Sequence, residues 1–279
     1  MSALIGTVET LMRYPVKSMQ GASAKDVDVT SLGLTGDRSF ALKDIETGKI
    51  ASSKLPHRWR DIILCSGCVA ADGEISVTLP DGTRLSGKDI DKGMSALLGR
   101  PVELISDFSE ATELDRSDPD DVALEGIEKE TRFETMAAAQ GTPGGGFFDF
   151  AALHLISSAS LEHLAATLGE DAADLRRYRP NLVVATPDGT AFQENSWAGQ
   201  QLAIGPDLVI AVITASPRCA VPTLPQPGLA IRPTLTNDIG KLNKVEIMDM
   251  GELPCLGAYA AVVTLGKISV GDEVRRATT

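Results

Sequence analysis

The chain has 279 residues, 43% of them hydrophobic, with 38 acidic side chains against 26 Lys and Arg and a formal charge of −12. That length and composition describe one large or two ordinary globular domains with a real core, and exclude a disordered chain. The acidic balance excludes a nucleic-acid or anionic-membrane surface, since both need a basic face.

Residues 4–12 (LIGTVETLM), 25–30, 39–44, 61–65 and 75–79 read as short strands, separated by turn signals at Gly33–Leu34, Glu46–Gly48, Asp72–Gly73 and Asp81–Gly82. A helix is expected over Ile90–Leu98, stopped by Gly99. From Asp107 to Glu134 eleven acidic residues are opposed only by Arg116, Lys129 and Arg132, which is −8 in 28 residues and leaves −4 for the other 251. With the small, flexible stretch 137–146 behind it, this segment reads as a solvated connection between two domains, 1–125 and 126–279. Beyond it, Leu153–Ser157 reads as a strand entering a helix capped by Ser157 or Ser158 and ended at Gly169. Strands are then expected at Asn181–Ala185, Gln201–Ile204, Leu208–Ala215, Val245–Met250, Tyr259–Thr264 and Glu273–Arg276. Many short strands with few helices predict a mainly β, α+β fold, a β-barrel or sandwich rather than a doubly wound sheet.

The sharpest chemical feature is Ser216-Pro217-Arg218-Cys219, directly after the apolar strand LVIAVITA. A strand end followed by Pro is where side chains leave the core, and an adjacent guanidinium favours a thiolate that can attack or bind metal. A buried structural cysteine is the other reading of the same residues. Cys65-Ser-Gly-Cys68 has half-zinc or redox spacing, but it lies in a strand-like run without a second pair, and core packing fits it better. Cys255 has no partner spacing, and the four cysteines lack the close spacing that holds an iron–sulfur cluster. His57, His154 and His163 are scattered, with His154 expected in the core or a pocket wall, and Gly144–Gly146 lacks the context of a phosphate loop. Four cysteines, no long apolar run and no signal-peptide core together predict a cytoplasmic protein. Against the acidic total, Arg13, Lys17, Arg38, Arg176, Arg177 and Arg179 stand at strand ends beside Ser, Thr or Asn donors. Each alone is most simply a surface charge; together they can form a pocket for an anion.

Seven blocks in order carry a resemblance over nearly the whole chain: RYPVKSMQG (13–21), GLTGDRSFAL (33–42), FFDFAALHLISSASLEHL (147–164), RYRPNLVV (177–184), FQENSWAGQQLAIG (192–205), SPRCAVPT (216–223), and LGAYAAV with GKISVGDEV (256–274). They resemble the MOSC family, the molybdenum cofactor sulfurase C-terminal-type domain, together with the N-terminal β-barrel domain that often precedes it. The resemblance implies a molybdenum cofactor of the molybdopterin form held between the two halves, with no pyridoxal phosphate. Carried over position by position, it makes Cys219 the molybdenum ligand and catalytic residue. Lys17, Ser18 and Arg38 match contacts to the cofactor's phosphate and pterin, and Asp149, Arg179, Asn181, Ser216 and Arg218 match cofactor-binding positions of the second domain. An anionic cofactor calls for such Lys and Arg, and a thiolate suits a transition metal. Phe150 and Ala151 depart from the pattern, since studied reductases of the family carry hydroxyl side chains there.

The amidoxime-reducing branch of the family implies reduction of N-hydroxylated compounds. No ferredoxin-like domain follows Thr279, so electrons are expected from a separate flavoprotein or ferredoxin, with a small-molecule substrate and no nucleic acid or membrane partner. The mitochondrial relatives' N-terminal anchor is likewise not found. Two other functions use the same residues: a sulfur carrier with a persulfide on Cys219, and a non-catalytic protein that binds and delivers the cofactor.

Overall fold

The computed structural model describes residues 3–70, 72–108, 112–142 and 145–277. One of its long strands carries the clearest β-branched patterning. Leu208–Pro217 (LVIAVITASP) buries alternate side chains over its first half, and Glu252–Thr264 runs antiparallel beside it. Seven strands join into a closed ring: Leu153–Ser157, Leu182–Ala185, Leu4–Arg13, Glu273–Arg276, Gln201–Ile204, Leu208–Pro217 and Glu252–Thr264, which pairs back to the first. Only the junction of Leu153–Ser157 with Leu182–Ala185 is parallel, and the helix Ser158–Leu168 lies in the crossover such a pair requires. Each strand sends at least one side chain inward, among them Leu155, Val184, Val8, Val274, Leu202, Ile210 and Ala260. The fold is thus mainly β, in the α+β class, with a closed barrel.

The helix begins as its sequence suggests. Ser157 Oγ accepts the backbone N–H of Ser160 at 3.2 Å, a cap worth about 1 kcal/mol. The hydroxyls of Ser157 and Ser160 also donate to Glu194 Oε2 at 2.6 and 2.8 Å. Burial pushes the Glu194 carboxyl up from its ordinary value, while the two hydroxyls oppose that rise.

The first half has its own core, in which Val16, Met19, Leu42, Trp59, Ile62, Val77, Ile90 and Met94 pack together. Ala41–Asp44 pairs with Val102–Ile105, and Ser66–Val69, Ile75–Thr78 and Arg84–Ser86 form a meander. The helix Asp89–Leu98 ends at Gly99 in the left-handed region, φ 67°.

Three elements differ from expectation. Residues 61–65 form the 3-10 helix Arg60–Leu64 rather than a strand, because Pro56 starts a helical turn immediately before them and both Ile62 and Ile63 are buried. Val245–Met250 is a strand only over Lys244–Glu246, then turns tightly through Met248–Met250. The acidic segment is no bare solvated connection: Glu113–Ser117 and Phe133–Ala137 make a two-stranded ladder, with the helix Pro119–Glu125 between them. Its carboxylates are answered by cations, with Lys49 on Asp115 at 2.7 Å and Arg132 on Asp118 at 3.0 Å, while Leu114 is fully buried. Glu110 and Gly144 fall outside the described residues.

The barrel's last junction is tight at Gly257. Its φ of 84° belongs to the left-handed region, and an added Cβ would stand 2.4 Å from His154 Nε2 and 2.5 Å from the Leu155 carbonyl oxygen. Gly257→Ala is expected to lower stability by about 2–4 kcal/mol, from backbone strain plus the clash. A urea-unfolding midpoint equal to wild type would contradict this.

Candidate active site

The strand registers bring one end of the barrel together. The loop after Leu4–Arg13, the segments before Leu153–Ser157 and Leu182–Ala185, and the loop after Leu208–Pro217 all meet there. A cavity of about 350 Å³ opens at this end and is lined by residues from both halves of the chain. Barrel mouths are common sites for such pockets. Of the residues expected from sequence, Lys17, Ser18, Arg38, Asp149, Arg179, Asn181, Arg218 and Cys219 line the cavity. Ser216 does not. It is fully buried behind Arg218, whose guanidinium it receives through both Oγ and its carbonyl oxygen. Arg13 and Arg176 also stay outside, engaged with the Thr35 carbonyl and with Asp174.

The lining is strongly positive, with seven Lys and Arg side chains against two carboxylates. Asp149 carries much of the balance, receiving Lys17 Nζ at 2.6 Å on Oδ1 and Lys54 Nζ at 3.4 Å on Oδ2. Burial opposes its ionisation, but Lys17 and Lys54 outweigh that and hold the carboxyl well below its ordinary value. Burial likewise acts on Lys17, and there it prevails over Asp149, lowering the ammonium to about 8. Arg38 is held by Asp37 at 2.5 Å and donates to Asn181 Oδ1 and the Arg179 carbonyl at 3.3 and 3.1 Å. Burial and the neighbouring Arg38 charge lower Arg179 to about 10.

Two of these cations have no counter-ion. Arg179 and Arg218 are 9% and 7% exposed, yet among the described residues no carboxylate lies within 4.0 Å of either guanidinium. Arg179 donates to the Met19 carbonyl, and Arg218 to Ser216 and the Tyr178 carbonyl. A buried cation without a partner charge costs several kcal/mol, so this arrangement is built for an anion. Backbone strain gathers here too. Six described non-glycine residues have positive φ, and four of them, Ser18, Arg38, Arg179 and Met248, line the cavity. Each such conformation costs about 1 kcal/mol or more.

Cys219 follows the strand Leu208–Pro217 directly and is half-buried at the cavity, its carbonyl accepting from Thr236 Oγ1 at 2.9 Å. The other three cysteines are elsewhere: Cys65 and Cys255 are buried, with thiols raised by burial to about 12 and 11, and Cys68 is exposed. Among the described residues no three His, Cys, Asp or Glu side chains group as a metal site. His154 forms part of the wall, as expected. Burial first, then Arg218, lower its pKa well below the ordinary value, and its neutral ring lies 3.3 Å from the Leu256 carbonyl.

Sequence reading missed Lys54 and Tyr14. Lys54 lies in SSKLP, whose pattern gives no sign of a pocket; only the fold brings it to Asp149. Tyr14 lies within the quoted RYPVKSMQG block, but its contact with two arginines is a tertiary one.

Comparison with known families matches the MOSC N-terminal beta barrel domain over residues 5–89 and the MOSC domain over residues 144–275. The chain belongs to the MOSC family. Molybdenum-cofactor binding and oxidoreductase activity are properties found at the level of that family. Mitochondrial amidoxime reducing component 2 of Rattus norvegicus is 25% identical, covering 98% of this chain and 83% of its own. Mitochondrial amidoxime-reducing component 1 of Homo sapiens is also 25% identical, covering 97% and 82%. Among solved structures, the YUAD protein from Bacillus subtilis aligns over 98% of this chain and 97% of its own with a TM-score of 0.40 and 11% identity, too distant a likeness to carry an argument. The MOSC relatives correct the cytoplasmic expectation, because the curated relatives named here are mitochondrial by name. A small cysteine count reports a reducing environment, and more than one compartment supplies that.

The cavity charge gives a pH test. Lys17 is charged below about pH 8 and neutral above it, so raising the pH through that value removes one cation from the lining. Affinity for inorganic sulfate, whose own charge is constant there, is expected to fall about tenfold across pH 7–9.5, the size of one charge-assisted hydrogen bond. Calorimetric titration of Lys17→Met should show weak binding without that step.

Proposed function

We propose that the cavity holds a molybdenum–pterin cofactor with Cys219 as its protein ligand, and that the protein reduces N-hydroxylated compounds with electrons from a separate redox protein. The observation that carries this reading is the pair of buried, uncompensated guanidiniums of Arg179 and Arg218 in the same cavity as the half-buried Cys219 thiol. A phosphorylated cofactor is anionic and would satisfy both cations, while the lone thiol offers one soft ligand to its metal. The relatives' name, amidoxime reducing component, supports the substrate class. The two family matches lie on either side of residue 125, in keeping with a division into 1–125 and 126–279 in which Leu4–Arg13 reaches across to complete the later barrel and the ladder Glu113–Ser117 with Phe133–Ala137 spans the boundary.

In this reading Lys17, Ser18, Arg38, Asp149, Arg179, Asn181 and Arg218 bind and orient the cofactor, and Ser216 braces Arg218 from behind. A bound molybdenum cofactor would supply the two-electron chemistry that removes the substrate's hydroxyl oxygen. The chain's own residues supply the setting. Asp149 keeps Lys17 and Lys54 at fixed positions, and the Lys17 ammonium, lowered to about 8, can give up a proton near neutral pH. The overall change consumes two electrons and two protons, turning N–OH into N–H and releasing water.

Full-length protein made with intact cofactor supply should contain about one molybdenum per chain and reduce an aromatic amidoxime with reduced viologen as donor. Cys219→Ala should lose both while keeping its fold by circular dichroism. Molybdenum without turnover would instead make this a delivery protein. Absence of molybdenum, with labelled sulfur accepted on Cys219, would make it a sulfur carrier.

A further inference from the structure

We propose that Tyr14 is a positioning residue that holds Arg38 and Arg179 together as a two-armed clamp for a tetrahedral oxyanion. The inference rests on reading the cavity as an anion site, and it concerns how that site is kept ready. Both guanidinium carbons stand over the Tyr14 ring, 4.9 Å and 4.4 Å from its centroid. Two cations this close repel, and the negative face of one aromatic ring attracts both. Arg179 needs that attraction most, since it has no carboxylate within salt-bridge distance among the described residues.

The surroundings of Tyr14 are arranged to fix the ring. Its side chain is fully buried. Its backbone N–H donates to Asp37 Oδ1 at 2.7 Å, and the other oxygen of that carboxylate receives Arg38 at 2.5 Å. The Arg38 backbone N–H donates to the Tyr14 carbonyl at 2.7 Å. Gly21 closes the far side, where an added Cβ would lie 2.5 Å from Tyr14 Cδ1, so no larger residue fits against the ring. Both arginines hold left-handed backbone conformations, φ 46° and 57°, which only surrounding contacts sustain. The Tyr14 hydroxyl makes no hydrogen bond among the described residues. The ring, not the hydroxyl, therefore does the holding, and this separates the clamp from a simple hydrogen-bonding role.

The test compares Tyr14→Phe with Tyr14→Leu in the full chain, with inorganic phosphate as probe at fixed pH and ³¹P NMR as readout. Phe keeps the aromatic face and should bind phosphate within twofold of wild type. Leu stays apolar but has no such face, and should bind about tenfold more weakly. Melting temperatures recorded in parallel separate this from general loosening, since Phe is expected to be as stable as wild type or more so. Guanidinium proton signals of Arg38 and Arg179 in the wild-type protein supply a readout that needs no mutant. Ring-current shifts kept in Tyr14→Phe support the clamp, and unshifted signals overturn it. It is overturned equally if Leu binds like wild type, if Phe loses as much as Leu, or if wild-type protein made without molybdenum cofactor does not bind phosphate. Molybdenum content is measured separately. A wild-type protein with the phosphate pattern but no molybdenum supports the clamp and sinks the cofactor reading.

Discussion

A closed barrel has no free edge, and here the ring closes only because the first strand of the chain slots between strands that come much later. Leu4–Arg13 is hydrogen-bonded on one side to Leu182–Ala185 and on the other to Glu273–Arg276. Remove it and two edges open, each exposing a row of unpaired backbone groups. The same insertion decides where chemistry can sit. The strand leads straight into Tyr14, Lys17 and Ser18, which are thereby delivered to the barrel end where Asn181 and Cys219 also arrive. Architecture and cavity are therefore one constraint.

Electrostatics add a second layer to that geometry. The chain is acidic overall, but most of its net negative charge lies in the region 107–134 and its buried cations are in the cavity. Asp37 pairs with Arg38, and Asp149 with both Lys17 and Lys54, leaving Arg179 and Arg218 without a direct ion pair among the described residues. Their charge is kept in place by carbonyl oxygens, a hydroxyl and an aromatic ring. None of these cancels a full positive charge, so the pocket stays attractive to an anion.

What the sequence conveyed depends on how local the signal was. The strand Leu208–Pro217, the Ser157 cap and the Gly99 stop are written in neighbouring residues, and they appear where the pattern puts them. The cavity residues were legible through motif resemblance and through their oddity as cations at strand ends. The acidic segment was misjudged because its partners are distant. Lys49 and Arg58 reach Asp115 and Glu130 from more than sixty residues away, and composition alone cannot reveal such pairs. Lys54 and the stacking on Tyr14 were hidden for the same reason. The left-handed conformations of Ser18, Arg38 and Arg179 were hidden for another: nothing in a non-glycine residue's identity announces them.

The position of the closing strand also sets an order of events during synthesis. Leu4–Arg13 leaves the ribosome long before its partner Glu273–Arg276. At a synthesis rate of about 5–20 residues per second, the first strand waits on the order of ten seconds or more for that neighbour. Contacts of such long sequence separation also make for slow folding. A strand of alternating apolar residues left unpaired for so long is a target for chaperones and a risk for mispairing. The ring of the barrel therefore closes only once that late pairing has formed.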